Sequence, residues 1–304
     1  MKLIKPSFEI REQPSGLEGV YKQIEGAGRV CYKSEDKIAE GTAKAFVDRI
    51  IASGHGAMLE HGTVYLKCET EVINRYIHLE DGEEEDFNKL EKYEYNSYSV
   101  TNDNGIYLYV TTNLRVLVEN DWLDDLQYIC EPTEYHEKRI TVKFICDRGV
   151  SHEFVRHRIF SFAQESTRYC NYSKDKFDSE CTFIIPCWLN IVEGSYTLED
   201  VEEKYDRCLI TDSGKGITNE AAEYIRSLIY SEKTYFSLLD RNWRPQQARA
   251  VLPNSLKTEL VMTGFVSDWE HFFELRCSSS AHPQARELAI PLQEEFIARG
   301  YINN

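Results

Sequence analysis

Ile140, Val142, Phe144 and Cys146 alternate with Thr141, Lys143 and Asp147, a period of two that predicts a strand ending at the turn Asp147-Arg148-Gly149. Leu256, Thr258, Leu260 and Met262 alternate in the same way with Lys257, Glu259 and Val261 and predict a second strand, ending at Gly264. Thr63 to Cys68 reads as a third. Asn102-Asp103-Asn104-Gly105 lies between Tyr98 and Val100 on one side and Ile106, Leu108 and Val110 on the other, which is the pattern of a hairpin.

Elsewhere the apolar positions recur every three to four residues. Leu17, Val20, Ile24 and Ala27 predict one helix, and Ala39, Ala43, Phe46, Val47, Ile50 and Ile51 a second, closed by Gly54. Ala222, Ile225, Leu228, Ile229 and Leu238 predict a long core helix over 220–239, and Pro245 starts a short one. Ser267 and Glu270 form a capping box for a helix through Arg276. A last helix begins near Pro283 with Ala285, Leu288, Ala289 and Leu292, and Pro291 is expected to kink or interrupt it. After Gly149, Ser151 is placed as a cap, and Val155, Ile159 and Phe162 form a stripe. A helix is therefore expected to Phe162, with Arg156, His157 and Arg158 flanking its buried face.

The chain is 304 residues long and 42% hydrophobic, enough for a sizeable core in one large domain or two small ones. It has no internal repeat and no Gly- or Ser-rich linker. No run of about 18 apolar residues occurs, and the start of the chain lacks the apolar stretch of a secretory signal, so no membrane role and a cytoplasmic location are expected. Nine scattered cysteines without CxxC pairs read as reduced thiols. A net charge of -16 argues against a nucleic-acid polymer as partner, because no extended basic face is available to displace counterions.

Against that charge, residues 156–168 are a local knot of cations and hydroxyls, Arg-His-Arg-Ile-Phe-Ser-Phe-Ala-Gln-Glu-Ser-Thr-Arg. Arginine forks match phosphate oxygens bidentately, so the knot suits a small phosphorylated ligand. Arginines paired with surplus carboxylates on a helix surface are the competing reading. Arg276, at a predicted helix C-terminus, is by itself a plain partner for the helix dipole. His55, Glu60 and His61 suggest a metal at first sight, but the spacing fits neither His-Glu-x-x-His nor a zinc-finger register, and no metal is expected.

The order Arg156-His157-Arg158, then Ser166, Arg168 and Tyr169, resembles the signature of the flavin-dependent thymidylate synthases. Gly28-Arg29-Val30-Cys31-Tyr32, residues 54–61, Ala248-Arg249-Ala250-Val251-Leu252-Pro253 and Phe273-Glu274-Leu275-Arg276 follow in the family's order, so the resemblance covers nearly the whole chain except roughly residues 69–139. It implies an α/β (α+β) fold with a central, mostly antiparallel sheet flanked by helices. It also implies one domain over residues 1–304, with 69–139 as a hairpin-containing insertion.

The resemblance further implies FAD as cofactor, dUMP as substrate, NADPH and methylenetetrahydrofolate as co-substrates, and a homotetramer with shared active sites. Arg276 is then the arginine that contacts the pyrimidine. Glu153, Arg156, Gln164, Glu165, Ser166, Thr167, Arg168 and Arg249 fall at the nucleotide. His55, Ala57, Arg156, His157, Arg158, Gln164 and His271 fall at the flavin, and His61 on the loop that reaches it from a neighbouring subunit. Pro186-Cys187-Trp188 superficially resembles the cysteine-nucleophile thymidylate synthases, but no histidine follows, and Cys187 reads as structural.

The chain departs from the family at several positions. Phe265 and Ser267 stand where many relatives have Asn and Arg, and His271 replaces a frequent Asn. Glu153 stands where many have Gln, and Ala57 lacks a common hydroxyl. Two other functions fit the same motifs: a flavoprotein oxidase using NADPH, or a non-catalytic nucleotide-binding module.

Overall fold

The computed structural model describes residues 1–69, 90–202 and 219–303. The acidic run at 81–94 lies outside them except for its last residues, as does one of the nine cysteines; the others are free thiols.

The two alternating segments form the centre of the molecule. β6 (Arg139–Asp147) and β10 (Lys257–Phe265) pair antiparallel along their full lengths. β2 (Ser7–Arg11) adds to β6 and β7 (Ser161–Gln164) to β10, so the order β2-β6-β10-β7 is antiparallel throughout. Ile140, Val142, Phe144 and Cys146 of β6, with Leu260 and Met262 of β10, face α4 (Arg148–Phe154), α8 (Val266–Arg276) and α9 (Pro283–Ala298). Trp269 of α8 is fully buried there, and its indole N–H donates to the Ile140 carbonyl at 3.1 Å. On the other face, Val261 and Ala163 pack under Ala27 and Val30 of α1 (Gly16–Val30). The alternation thus separates two layers, one apolar and one mixed.

β3 (Thr63–Glu69), β5 (Tyr107–Asn113) and β4 (Val100–Asp103) make a second antiparallel sheet, which shares its core with α1, α2 (Thr42–Ala52) and α3 (Leu114–Glu119). The β4–β5 turn is the expected hairpin, and Gly105, at φ 85°, supplies the left-handed residue it needs. A third sheet sets β1 (Lys2–Ile4) between parallel β8 (Thr182–Ile184) and antiparallel β9 (Gly194–Ser195). Its core is closed by α5 (Leu198–Glu202), α6 (Asn219–Asp240) and α7 (Pro245–Ala248). No helix of the described residues is long and apolar enough to cross a membrane.

Four local expectations are corrected. The helix after β6 stops at Phe154, and Phe162 lies in β7, because pairing with the open edge of β10 competes with the helical spacing; Ile159 is left 57% exposed. Its cap is Asp147, whose carboxylate accepts from the Val150 N–H at 2.7 Å, while Ser151 sits inside and donates to the Arg148 carbonyl. Likewise α8 is capped by Asp268, which accepts from the Phe265 N–H, and Ser267 donates instead to Glu137. Pro291 does not interrupt α9: Leu288, Ala289, Leu292 and Phe296 are buried on either side of it, and their burial outweighs one lost backbone hydrogen bond.

Candidate active site

The end of α4 aims the Arg156-His157-Arg158 turn at the C-terminal end of α8. His157 is 6% exposed and packs its ring on Phe272 at 5.0 Å, with His271 at 6.3 Å. Burial, reinforced by the neighbouring Arg276 and His271, pushes its pKa down to about 4. The imidazole is therefore neutral near pH 7, and its Nε2 accepts a 2.9 Å hydrogen bond from Arg276 Nε. That assigns the ring proton to Nδ1. Arg276 also donates to Glu153, from Nη1 to the carboxylate at 2.7 Å and from Nη2 to the backbone carbonyl at 2.6 Å. Residues 119 and 123 positions apart in the chain are thus fastened into one group.

Arg156 and Arg158 are exposed, and neither has a carboxylate against it among the described residues; Arg156 donates only to the His152 carbonyl. Two such guanidinium groups on one turn fit the pyrophosphate of a dinucleotide.

A second group forms at the loop after β7. The Ser166 N–H donates to the Cys31 carbonyl at the end of α1, and the Ser166 hydroxyl accepts from the Arg168 N–H. Arg249, from the turn after α7, donates to the Thr167 hydroxyl at 2.8 Å. Arg168 lies over the Tyr169 ring at 5.3 Å, and Tyr169 packs on Tyr32 at 5.1 Å. Arg168 and Arg249 are exposed. Gln164 joins the two groups, its amide donating to Ser151 of α4 and Thr258 of β10.

Glu165 points the other way. It is 2% exposed, with Tyr172 and Lys257 on its two carboxylate oxygens. His55, Ala57 and His271 are exposed, the first two at the short turn over Gly56–His61. His61 is fully buried: its Nδ1 bonds Thr263 at 2.8 Å, and burial first, then Arg139, lowers its pKa to about 3. Cys187 is exposed, yet burial of the thiol and Glu287 hold its pKa up, which is no environment for a thiolate.

Sequence reasoning did not find the neighbours that line a cavity of about 330 Å³ beside Glu153, among them Trp188, Asn254, Ser255 and His282. They come from three separate segments, and no local pattern marks them.

A family model described as thymidylate synthase complementing protein matches residues 132–299. The chain is 25% identical over 285 residues to a flavin-dependent thymidylate synthase of Corynebacterium aurimucosum, covering 93% of this chain and 77% of that one. It is 31% identical over 149 residues to a flavin-dependent thymidylate synthase of Corynebacterium efficiens, covering 49% of this chain and 53% of that one. A crystal structure of a UMP/dUMP methylase from Streptomyces cacaoi, bound with 5-Br dUMP, aligns at 16% identity and a TM-score of 0.41 over 98% of this chain and 93% of that one, a likeness too loose to carry an argument.

Proposed function

The chain belongs to the thymidylate synthase complementing protein family, and from that premise we propose that it converts dUMP to dTMP by reductive methylation at C5. The overall change is dUMP, methylenetetrahydrofolate, NADPH and a proton going to dTMP, tetrahydrofolate and NADP+. A bound FAD supplies the two-electron reduction.

The observation that carries this reading is the bond from Arg249 to Thr167, which brings a cation from 82 positions away onto the Ser166–Arg168 loop. With Arg156, this loop gathers exposed arginines and hydroxyls in a strongly acidic chain, the arrangement a nucleotide monophosphate needs. On this reading Arg156, Ser166, Thr167, Arg168 and Arg249 hold the phosphate and ribose. Gln164 and the backbone of Glu165 complete the loop, and Glu153 stands at the base. Arg276 meets the pyrimidine, where a fixed cation stabilises negative charge developing on the ring. Arg156, His157 and Arg158 hold the flavin together with His55, Ala57, Gln164 and His271. The reading includes a homotetramer with shared sites, a cytoplasmic location, and a single domain carrying residues 69–139 as an insertion.

Protein supplied with FAD, NADPH and methylenetetrahydrofolate should release tritium from dUMP labelled at C5, and release should require both co-substrates. No release from protein that retains flavin would overturn the proposal in favour of an oxidase. Arg276→Ala should keep its flavin absorbance and lose turnover by about 100-fold, the scale of removing one preorganised charge donor; full turnover would remove Arg276 from the reaction.

A further inference from the structure

Five described residues other than glycine hold φ in the left-handed region: Lys33, Asp121, Asp178, Ser179 and Asn242. Asp and Asn are the types that tolerate it best, and Ser179 is small. Lys33, at φ 48°, is the exception. It stands where the chain reverses after α1, and the Ser34 N–H closes the turn on the Arg29 carbonyl at 3.1 Å. Glycine is the usual residue at such a helix end, because any side chain there costs backbone strain. A lysine kept at that cost points to a role for its side chain.

That side chain reaches the central sheet. Lys33 Nζ donates to Glu259 Oε1 on β10, and to Glu35 at 3.2 Å. Glu259 is 4% exposed and Lys33 28%, so the ammonium lies at the outer edge of a buried charged group. The same Glu259 oxygen accepts from Lys257 at 2.8 Å, and Lys257 holds Glu165 Oε2 at 2.6 Å. A line of charges therefore runs from Lys33 through Glu259 and Lys257 to Glu165, which opens the loop that presents Ser166, Thr167 and Arg168. Two backbone bonds run beside it, from the Glu165 N–H to the Glu259 carbonyl at 2.8 Å and from the Ser166 N–H to the Cys31 carbonyl at 3.0 Å. Cys31 lies two residues before Lys33. The loop thus hangs between β10 and the end of α1, and Lys33 fastens the second support to the first.

Resting on the dUMP reading above, we propose that Lys33 is a positioning residue for the nucleotide: it pins the end of α1 to β10 and so holds the Ser166–Arg168 loop in the shape that receives a phosphate. It acts through Glu259 and the Cys31 carbonyl. Without its ammonium, the turn after α1 loses its tie to the sheet, and the Cys31 carbonyl can draw away from the Ser166 N–H. Lys143 and Lys257 still balance Glu259, so its charge is not left bare. The fold survives and the loop loosens.

Lys33→Gly and Lys33→Met both remove the ammonium, but only glycine also relieves the backbone, so Lys33→Gly should unfold at the higher temperature. The test is calorimetric binding of dUMP to the full-length, FAD-supplemented protein for the wild type and both variants, with thermal unfolding and flavin absorbance measured on the same samples. Both variants should bind dUMP about tenfold more weakly than the wild type, the scale of one charge-assisted hydrogen bond. The two losses should be equal despite the different stabilities, and the flavin should be retained. Affinity that recovers in Lys33→Gly along with stability overturns the proposal, as does wild-type affinity in either variant or a parallel loss of flavin. Equal unfolding temperatures would remove the strain on which the proposal stands and overturn it too. If the wild type binds dUMP but releases no tritium from it, and both variants bind it equally weakly, the positioning role stands and the reaction falls. A wild type that binds no dUMP overturns both.

Discussion

Lys257 stands between two buried carboxylates, 2.6 Å from Glu165 and 2.8 Å from Glu259. Burial alone would raise the pKa of Glu259, but Lys257, Lys143 and Lys33 hold it well below the usual carboxylate range. Burial likewise works against the charge on Lys257, and its two carboxylates more than offset that. Each charge in this group is kept by the others, so deleting one leaves an unbalanced ion in a poorly solvated place. Lys257→Met should lower the unfolding free energy by about 3 kcal/mol, at the low end for a broken buried pair because Lys33 and Lys143 remain. Urea denaturation measures it, and a loss under about 1 kcal/mol would mean that water reaches the carboxylates and screens them. The same group shows where sequence reading stops. Glu165 sits among binding-loop residues and looks like one of them, but its partner lies 92 positions away and becomes its neighbour only through the pairing of β7 with β10.

Among the elements, α4 decides whether the site exists, because Glu153 lies on it and His157 just beyond it. Asp147 ties its first turn to the sheet and, through Gln284, to α9. Asp147→Ala removes the cap and leaves the Gln284 amide without its acceptor, an expected cost of about 2 kcal/mol. It should also lower kcat/KM more than Asp147→Asn, which keeps an acceptor oxygen. Equal activity of the two variants would show that α4 is held by packing alone. Elements whose pattern matched their environment were legible: β6 and β10 alternate because one face meets α8 and α9 and the other meets α1, and the predicted boundaries agree to within about a residue. The length of α4 was not legible, since Val155, Ile159 and Phe162 keep helical spacing past the point where the chain joins the edge of β10. Capping was misread for a related reason: Ser151 and Ser267 are good caps in isolation, while Asp147 stands at the start of α4, and Asp268, third residue of α8, reaches back to the Phe265 N–H.

For the molecule as a whole, the buried histidines set a limit on the acid side. His61 and His157 have pKa values of about 3 and about 4 in the fold, both depressed first by burial, and His136 is lowered by the same cause. An unfolded chain protonates these rings near pH 6.5. Above that pH neither state binds the proton and the rings cost nothing. Below it the unfolded state gains protons that the folded state refuses, so stability falls as the pH drops toward the folded values. At pH 5 the difference is about 2 kcal/mol for each of His61 and His157, or about 4 kcal/mol together, a large share of a typical domain's stability. Buried Asp147 and partly buried Asp268 and Glu287, whose pKa values are raised first by desolvation, act in the opposite sense and oppose part of this loss as they protonate. A variant isolates the histidine contribution from that background. His61→Gln keeps a polar side chain near Thr263 and cannot titrate. Its unfolding free energy should fall by about 2 kcal/mol less than that of the wild type between pH 7 and pH 5, whatever the substitution costs at pH 7. Parallel pH profiles for the two proteins would show that His61 accepts a proton within the fold, and that the Thr263–His61 contact beneath the Gly56–His61 turn opens in acid before the molecule unfolds.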